Sequence, residues 1–446
     1  MSRQHLPPAI VAATDALAWA LTDWAHTHPD RSLTTLETSV LTAVRATLPA
    51  LLHAVLQQTL RVLATRPVRC PHCQHRATVH DWRVRQVLTT CGSLRWERPW
   101  ATCPACGQHC GAGDATLGVV PYQQQSAGVL ELVTALGSAT AFRDAPQLLA
   151  LTTGLVVGRE TARRDTEAAG TVLADQQDAA VAAVAAGSEP AALDPAPGVL
   201  VAETDGVFVR YQDDWHEVKV GVVGGWVGAA APDGALDGRL TAPSYVAARE
   251  DSTAFAARFG AEAARRGALA VVGWHGPHQG VAALRLVVVL GDGAKWIWVT
   301  AASQFGTVIE IVDFYHACEH LTTVAGLLHG AGSPEAATWA AARRDELRTA
   351  GVDAILPQLA APVGLAVDTL AKLRTEQGYF RSTQARMQYA TFRKQGLPIG
   401  SGAVESSARH VIQQRLKRAG MRWSQPGGRA LIALRADHAT QIGLAA

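Results

Sequence analysis

The chain has 446 residues, of which 48% are hydrophobic, so a disordered protein is excluded and two or three domains can each bury a core. The net charge is only +2, so any affinity for an anionic polymer must come from local basic clusters. The seven cysteines form no secreted-type framework, no signal peptide is recognisable, and no run of about 18 apolar, uncharged residues suggests a membrane helix. We therefore expect a cytoplasmic protein with reduced thiols and no membrane partner.

Residues 1–65 are predicted to be a helical region. Apolar residues such as Leu41, Val44, Leu48 and Leu52 recur there at helical spacing. The simplest interpretation is a helical hairpin that packs on the rest of the protein.

Residues 66–115 contain two motifs of the form C-P-x-C, separated by 29 residues. Zinc prefers four soft ligands in a tetrahedron, and two C-x-x-C turns supply two thiolates each. We predict a zinc ribbon that binds one structural Zn²⁺, and a redox-active C-x-x-C is the alternative. The predicted ligands are Cys70, Cys73, Cys103 and Cys106, with Cys91, Cys110, His72, His75 and His109 as substitutes.

The same region is rich in arginine. Eight arginines lie between Arg61 and Arg98, against only Asp81 and Glu97. This excess predicts a face that contacts phosphates, and a solvated surface is the alternative.

Residues 120–175 are predicted to form a helical, nucleic-acid-binding region. A helix, a turn at Gly154 and a second helix are expected over residues 148–169. This order is typical of a helix-turn-helix, whose second helix would carry Arg159, Arg163 and Arg164 into a DNA major groove.

Residues 176–197 are predicted to be a linker, with a domain boundary near residue 195, because an Ala-rich stretch ends in Pro- and Gly-containing turns. Residues 198–313 then give three strands, a helix, a strand, a helix and a strand. That is the order of an α/β ribonuclease H-like sheet. Residues 314–398 are predicted to be an all-helical insertion, and residues 399–440 return to the ribonuclease H-like domain.

Three acidic residues stand at the ends of these elements. Asp205 interrupts an apolar strand, Asp292 follows the apolar run 284–290, and Glu405 follows Gly-Ser-Gly at the start of a predicted helix. Carboxylates that converge from two strands and a helix can hold two Mg²⁺ or Mn²⁺ ions, which activate water and stabilise in-line displacement at phosphorus. Asp313 is an alternative to Asp292 as the second metal-binding carboxylate, because it too ends a strand.

A basic segment follows Glu405. Residues 409–435 contain seven Arg or Lys residues and no acidic residue, which predicts contacts with DNA. Trp423 would stack on a base or wedge between bases, and a core tryptophan is the alternative. The predicted DNA contacts are Arg415, Lys417, Arg418, Arg422 and Trp423.

Five motifs, in this order, resemble those of the bacterial insertion-sequence transposases of the Kra group, which are related to Mutator-like transposases. They are Glu-Thr-Asp205-Gly, Gly-Asp292-Gly-Ala-Lys-Trp-Ile, Ile-Val-Asp313-Phe-Tyr-His316, Pro-Ile-Gly-Ser-Gly-Ala-Val-Glu405-Ser and Lys417-Arg-Ala-Gly-Met-Arg-Trp423. The resemblance extends from the cysteine motifs to about residue 425. It implies that Asp205, Asp292 and Glu405 are a DDE triad, and that Asp313 and His316 form a D-x-x-H element beside it.

The resemblance implies a nucleoid-associated DDE transposase that nicks the ends of an insertion sequence and joins the 3′-hydroxyl to target DNA. Its partners would be double-stranded DNA and further copies of the chain, in a homodimer or higher oligomer. The alternatives are a catalytically inactive DNA-binding regulator, or a nuclease of the same fold without strand transfer. A serine nucleophile at Ser401 or Ser406 is less favoured, because the flanking sequence lacks the expected arginines. The first 60 residues match no motif, and dimerisation or end binding is the alternative role for them.

Overall fold

The protein is described by a computed structural model over residues 7–64, 66–188, 190, 193, 198–230, 236–268, 271–273, 282–284, 286–305, 308–360 and 365–443. The chain divides into two compact units, Met1–Thr166 and Glu167–Ala446. The whole is a mixed α/β protein.

The first unit combines two long helices, a small antiparallel sheet and several shorter helices. In chain order these are α1 (Pro8–Thr27), α2 (Leu33–Ala64), β1 (Thr78–Thr89), β2 (Gly92–Thr102), β3 (His109–Gly111), α3 (Ala127–Ala139), α4 (Ala145–Thr153) and α5 (Arg159–Ala185), which continues into the second unit. Strands β1 and β2 form a hairpin, and β3 pairs with β2. The helical start and the hairpin between the two cysteine motifs agree with the sequence-based expectation.

Helix α2 is unusually apolar. By length and composition, Leu33–Leu63 is the one helix in the described part of the chain that could cross a membrane. Leu56 of this helix nevertheless packs against Val87, Leu94 and Trp96 of the β1–β2 hairpin. This contact accounts for part of its apolar surface and agrees with the predicted packing role.

The second unit is built on one mixed five-stranded sheet in the order β10-β9-β4-β5-β6. Its elements up to the last strand are β4 (Val199–Arg210), β5 (Trp215–Ala230), β6 (Leu236–Ala248), α6 (Ser252–Arg265), β7 (Val271–Gly273), β8 (Ala282–Leu284), β9 (Val287–Gly291), α7 (Lys295–Gln304) and β10 (Val308–Val312). Strands β4, β9 and β10 are parallel, whereas β5 and β6 are antiparallel to their neighbours. Strands β7 and β8 pair with each other in a separate ribbon.

Helices make up the rest of the second unit. They are α8 (Phe314–His329), α9 (Pro334–Ala350), α10 (Val352–Ile355), α11 (Val367–Ser382), α12 (Tyr389–Lys394), α13 (Gly402–Ser407), α14 (Gln414–Leu416) and α15 (Gln425–Ile442). A π-helical segment, Ala408–Gln413, separates α13 from α14. The predicted helical segment after residue 314 is therefore helical throughout its described length, apart from short turns and loops.

The sheet and the inserted helices share one hydrophobic core. Val288 of β9 and Val201 of β4 are fully buried, as expected for parallel strands covered on both faces. Leu321 of α8, Phe380 of α11 and Tyr389 of α12 belong to the same buried cluster. The inserted helices are thus packed into the core of the sheet rather than appended to it.

The division between the units falls within α5, not near residue 195. Helix α5 runs through the first ten residues of the predicted linker 176–197, and most of the remaining linker lies outside the described residues. The second half of α5 belongs to the second unit because Asp178 binds Arg258 and Arg429. Close packing adds to this, since a Cβ at Gly170 would lie 2.4 Å from the carbonyl oxygen of Ala430.

Candidate functional site

The four predicted cysteine ligands lie together. Their Sγ atoms are all within 4.8 Å of one another, and the Cys70–Cys106 and Cys73–Cys103 pairs are 3.6 Å and 3.4 Å apart. A tetrahedron with Zn–S distances of about 2.3 Å requires sulfur–sulfur distances of about 3.8 Å. The four thiols can therefore hold one structural Zn²⁺, as predicted.

Local backbone geometry explains why the cysteines converge. In each knuckle the first cysteine carbonyl accepts from the residue after the second cysteine, Gln74 or Gly107, at 2.9 Å. Both of these residues have positive φ, 62° and 71°. Although burial opposes it, backbone N–H groups lower the pKa of Cys103 to about 7, whereas, despite the Gln108 N–H, burial and the neighbouring thiols raise the pKa of Cys106 to about 12.

The substitute ligands are not part of the cluster. Within the described residues, the four cysteines form the only group of three or more potential metal ligands at ligand spacing. Cys110 instead packs with Ala77 and Ala101 in a small apolar cluster.

The arginines of the ribbon have different roles. Arg98 is buried and pairs with Asp114 at 2.6 Å, and Arg85 donates to the carbonyls of Val120 and Gln123. These two arginines support the fold. Arg66, Arg69, Arg76 and Arg95 are exposed, so they remain the predicted phosphate-contacting residues of this region.

The predicted helix-turn-helix has the expected local structure. Gly154, in the left-handed region, ends α4, and α5 begins at Arg159. Arg159 and Arg164 are exposed on the first turns of α5, whereas Arg163 is half-buried and pairs with Glu160. The arrangement can present cations to DNA, and that role stays a prediction.

Three aspartates lie side by side across the large sheet, namely Asp205 within β4, Asp292 directly after β9 and Asp313 directly after β10. We call this place the carboxylate edge. In the parallel register, Leu290 of β9 is opposite Glu203 of β4, and Gly291 is opposite Val312 of β10. Continued by one or two residues, this register places Asp205 of β4 at the same level as Asp292 and Asp313, which directly follow β9 and β10. The sequence alone indicated that each ends or interrupts a strand, but only the register shows that they are aligned.

Asp205 and Asp292 are electrostatic neighbours. Burial raises the pKa of Asp205 and the charge of Asp292 adds to this, whereas the Gly206 N–H and His316 lower it. Asp292 accepts a hydrogen bond from the N–H of Ala294 at 2.9 Å through one carboxylate oxygen. Its second oxygen has no partner among the described residues.

Asp313 is bound differently from Asp292. One of its oxygens accepts from the N–H of His316 at 2.6 Å and thereby caps α8. The other accepts from both the N–H and the hydroxyl of Ser401. Since both oxygens are already engaged, Asp313 is better suited to hold the surrounding backbone than to bind a metal.

Glu405 lies in α13, which packs against β4 and β5. Its side chain is exposed and has no hydrogen-bond or ion-pair partner among the described residues. The oxygens of Asp205, Asp292 and Glu405 are not grouped at metal-ligand spacing in this part of the chain. The structure aligns the two aspartates, but it does not bring the complete triad together.

Sequence reasoning did not identify Glu203. It lies two residues before Asp205 on β4, so both side chains point to the same face, and its side chain is only 2% exposed. Burial, with a contribution from Asp313, raises the pKa of Glu203 to about 8, although the N–H groups of Val404 and Ala403 oppose the shift. A glutamate within an apolar strand was the available signal.

His316 belongs to a network of polar side chains that joins two helices. Its Nε2 atom is 3.3 Å from Nε2 of His320, and Nδ1 of His320 is 2.6 Å from Glu376. The His320 ring stacks on Tyr379 with centroids 3.7 Å apart, and the Tyr379 hydroxyl donates to the Asp292 carbonyl. This network therefore links α8 and α11 to the carboxylate edge.

The basic segment after Glu405 requires a correction. Arg415 is fully buried, with its guanidinium carbon 4.9 Å from the ring centre of Trp423. Trp423 is 6% exposed and donates to the Leu416 carbonyl at 3.0 Å. Neither side chain faces solvent, so the prediction that they contact DNA is wrong, and the alternative of a core tryptophan applies.

The remaining predicted contacts are exposed. Lys417, Arg418 and Arg422 line an open cavity of about 310 Å³ together with Arg210 and Trp215. A concave surface that combines cations with an exposed aromatic ring can bind a phosphodiester backbone and stack on a base.

No protein-family model matches the sequence, and no curated protein matches it.

Proposed function

We propose that the chain is a DDE-type DNA transposase with a ribonuclease H-like catalytic domain, similar to the Kra-group and Mutator-like enzymes. The observation that carries the proposal is the alignment of Asp205 and Asp292 on neighbouring parallel strands, with the helix of Glu405 packed on the same strand. The sheet order, with three consecutive strands followed by two parallel additions, supports the same fold.

The donor set suits a hard divalent cation. Asp205, Asp292 and Glu405 offer carboxylate oxygens, the ligands that Mg²⁺ and Mn²⁺ prefer, and Asp292 and Glu405 each keep oxygens unengaged among the described residues. When bound, such ions would supply the charge that activates water and stabilises displacement at phosphorus. The four-cysteine site would hold Zn²⁺ in a structural role.

The protein's own side chains would position the DNA. Lys417, Arg418 and Arg422 would bind phosphates, and Arg159 and Arg164 would contact the ends of the element. The reaction would nick the DNA at an element end, and the freed 3′-hydroxyl would then attack a target phosphodiester. Transposition requires paired ends, so we expect a homodimer or higher oligomer on DNA.

The test begins with the ends of the element, which short inverted repeats flanking the gene would identify. Nicking and strand transfer of a labelled end duplex should be measured with Mg²⁺ and with Mn²⁺. Asp205→Ala and Glu405→Ala should abolish both reactions while end binding, measured by gel shift, persists, because each removes metal-binding charge only. Glu335→Ala, at an exposed position on α9, is the matched control and should behave like the parent.

The same experiment separates the alternatives. Nicking without strand transfer would indicate a nuclease, and end binding without either reaction in the parent would indicate a regulator. Carboxylate variants that cut like the parent would disprove the DDE assignment.

A further inference from the structure

The segment 399–404, which leads into Glu405, is held by buried acidic residues from elsewhere in the sheet. At its start, the carbonyl of Ile399 accepts from the N–H of Phe314 at 2.8 Å. The hydroxyl of Ser401 then donates to Asp313 at 2.7 Å. These contacts attach the beginning of the segment to the end of β10.

The end of the segment is attached to a different strand. The N–H of Val404 donates to Oε2 of Glu203 at 2.8 Å, within the buried part of β4. Strand β9 lies between β10 and β4 in the sheet. The segment therefore crosses the carboxyl end of β9, next to which Asp292 lies.

Helix α13 differs from several other helices of the chain in which side chain accepts a hydrogen bond from the N–H groups of its first turn. Several other helices are capped by the residue directly before them, namely Ser126, Asp251, Ser333 and Ser424 for α3, α6, α9 and α15. Ser401, in the same position before α13, makes no side-chain cap. The acceptor is instead Glu203, 201 residues earlier in the sequence.

This arrangement couples two parts of the candidate site. Glu203 and Asp205 are on the same face of β4, so a bond from Glu203 to Val404 sets the distance between Asp205 and the residue after Val404, which is Glu405. A local serine cap would satisfy the helix equally well but would leave that distance free. Burying a carboxyl group is unfavourable unless it is hydrogen-bonded, and the N–H of Val404 supplies that bond to Glu203.

We propose that Glu203 is a positioning residue that, with Asp313, holds the segment 399–404 and thereby sets the position of Glu405 relative to Asp205 and Asp292. The inference rests on the proposed function, because it gives Glu405 a role at the metal site. Glu203 itself acts only through the backbone of the segment.

Iron-directed cleavage of the polypeptide can test the role without measuring activity. Fe²⁺, bound in place of Mg²⁺, generates hydroxyl radicals with ascorbate and peroxide, and these cut the backbone near the metal. The parent should be cut near residues 205, 292 and 405. In Glu203→Ala the cuts near 405 should fall by about 10-fold, the usual order of loss when a group supporting a ligand is removed, while the other two persist.

Two variants control the experiment. Glu203→Gln keeps an oxygen that can accept from the Val404 N–H and should retain the parent pattern. Glu262→Ala removes another buried glutamate of the same unit, on α6, and should leave the cuts near 405 unchanged. If Glu203→Ala does not fold, Glu203→Asp, which withdraws the acceptor by one methylene, should show the same selective loss.

The outcomes separate the positioning role of Glu203 from the proposed function. An unchanged pattern in a folded Glu203→Ala or Glu203→Asp protein would overturn the positioning role and leave the metal site intact. An absence of cuts near 205 and 292 in the parent would overturn the proposed function itself.

Discussion

The four-cysteine site and the carboxylate edge are both candidate metal sites, but they are constructed differently. The cysteines come from two similar knuckles that flank one hairpin, and each knuckle is shaped by its own short-range hydrogen bonds. The carboxylates come from two parallel strands and a helix that is roughly 200 residues from the first strand in the sequence.

This difference has a physical consequence for each site. The thiols already lie at mutual distances suited to zinc, because a hairpin needs few contacts to bring its ends together. The carboxylates depend on sheet register and on the position of the segment 399–404, so their geometry is sensitive to residues that bind no metal. A local motif therefore specifies its site almost alone, whereas a dispersed site requires supporting residues.

The largest expected effect concerns the choice between Asp292 and Asp313. Asp292→Ala should reduce nicking to background, because it removes a proposed metal ligand. Asp313→Ala should lose about 10- to 100-fold, because both of its oxygens hold backbone and hydroxyl groups rather than a metal. Initial nicking rates of the end duplex measure both, with gel-shift binding as the control. A dead Asp313→Ala and an active Asp292→Ala would reverse the assignment and weaken the distinction between ligands and supporting residues.

A second prediction tests the local character of the cysteine site. The parent should contain about one zinc per chain, and Cys70→Ser combined with Cys103→Ser should contain none, as measured by metal analysis of purified protein. Because metal binding and folding of such a ribbon are coupled, chelation should increase hydrogen exchange in β1 and β2 before it affects β4 and β9. Cys91→Ser, outside the cluster, is the matched control. Full zinc retention in the double variant would rule out this ligand set.

A third prediction extends the comparison to the basic segment, where burial separates neighbouring residues. Replacing Lys417, Arg418 and Arg422 by Ala should reduce the slope of log binding constant against log salt by about 2–3 units, if each contacts a phosphate. Arg415→Ala should leave the slope unchanged and lower thermal stability, because Arg415 is buried against Trp423. Equal slopes for the triple variant and the parent would mean that the exposed cations do not contact DNA.

The smallest expected effect is a pH dependence of stability. The pKa of Glu203 is raised to about 8 from 4.5, so the folded protein keeps a proton that the unfolded chain loses between these values. Its contribution to the free energy of unfolding is therefore fully present below about pH 4.5 and falls as the pH rises towards about 8. Glu203→Gln cannot ionise and should lack this decline. Urea unfolding of both proteins across this pH range, without added divalent metal, measures it, and parallel pH profiles would contradict the burial argument.

Much of the local structure was predictable from the residues. The C-P-x-C spacing predicted the cysteine cluster, and apolar periodicity predicted the helices and strands around Asp205, Asp292 and Glu405. These features depend on interactions between residues close in sequence, or on the simple alternation of a strand.

Tertiary structure decided the rest. Whether Arg415 and Trp423 face DNA or each other depended on which side of the C-terminal segment packs inward, and a run of basic residues does not encode that choice. The role of Glu203 depended on a bond to Val404 that spans 201 residues. A glutamate within an apolar strand was visible in the sequence, but its partner was not. Sequence by itself determined which chemical groups were present and that Asp205, Asp292 and Asp313 each end or interrupt a strand. Their alignment was decided by the register of three parallel strands, because strand pairing is set by contacts distant in the chain.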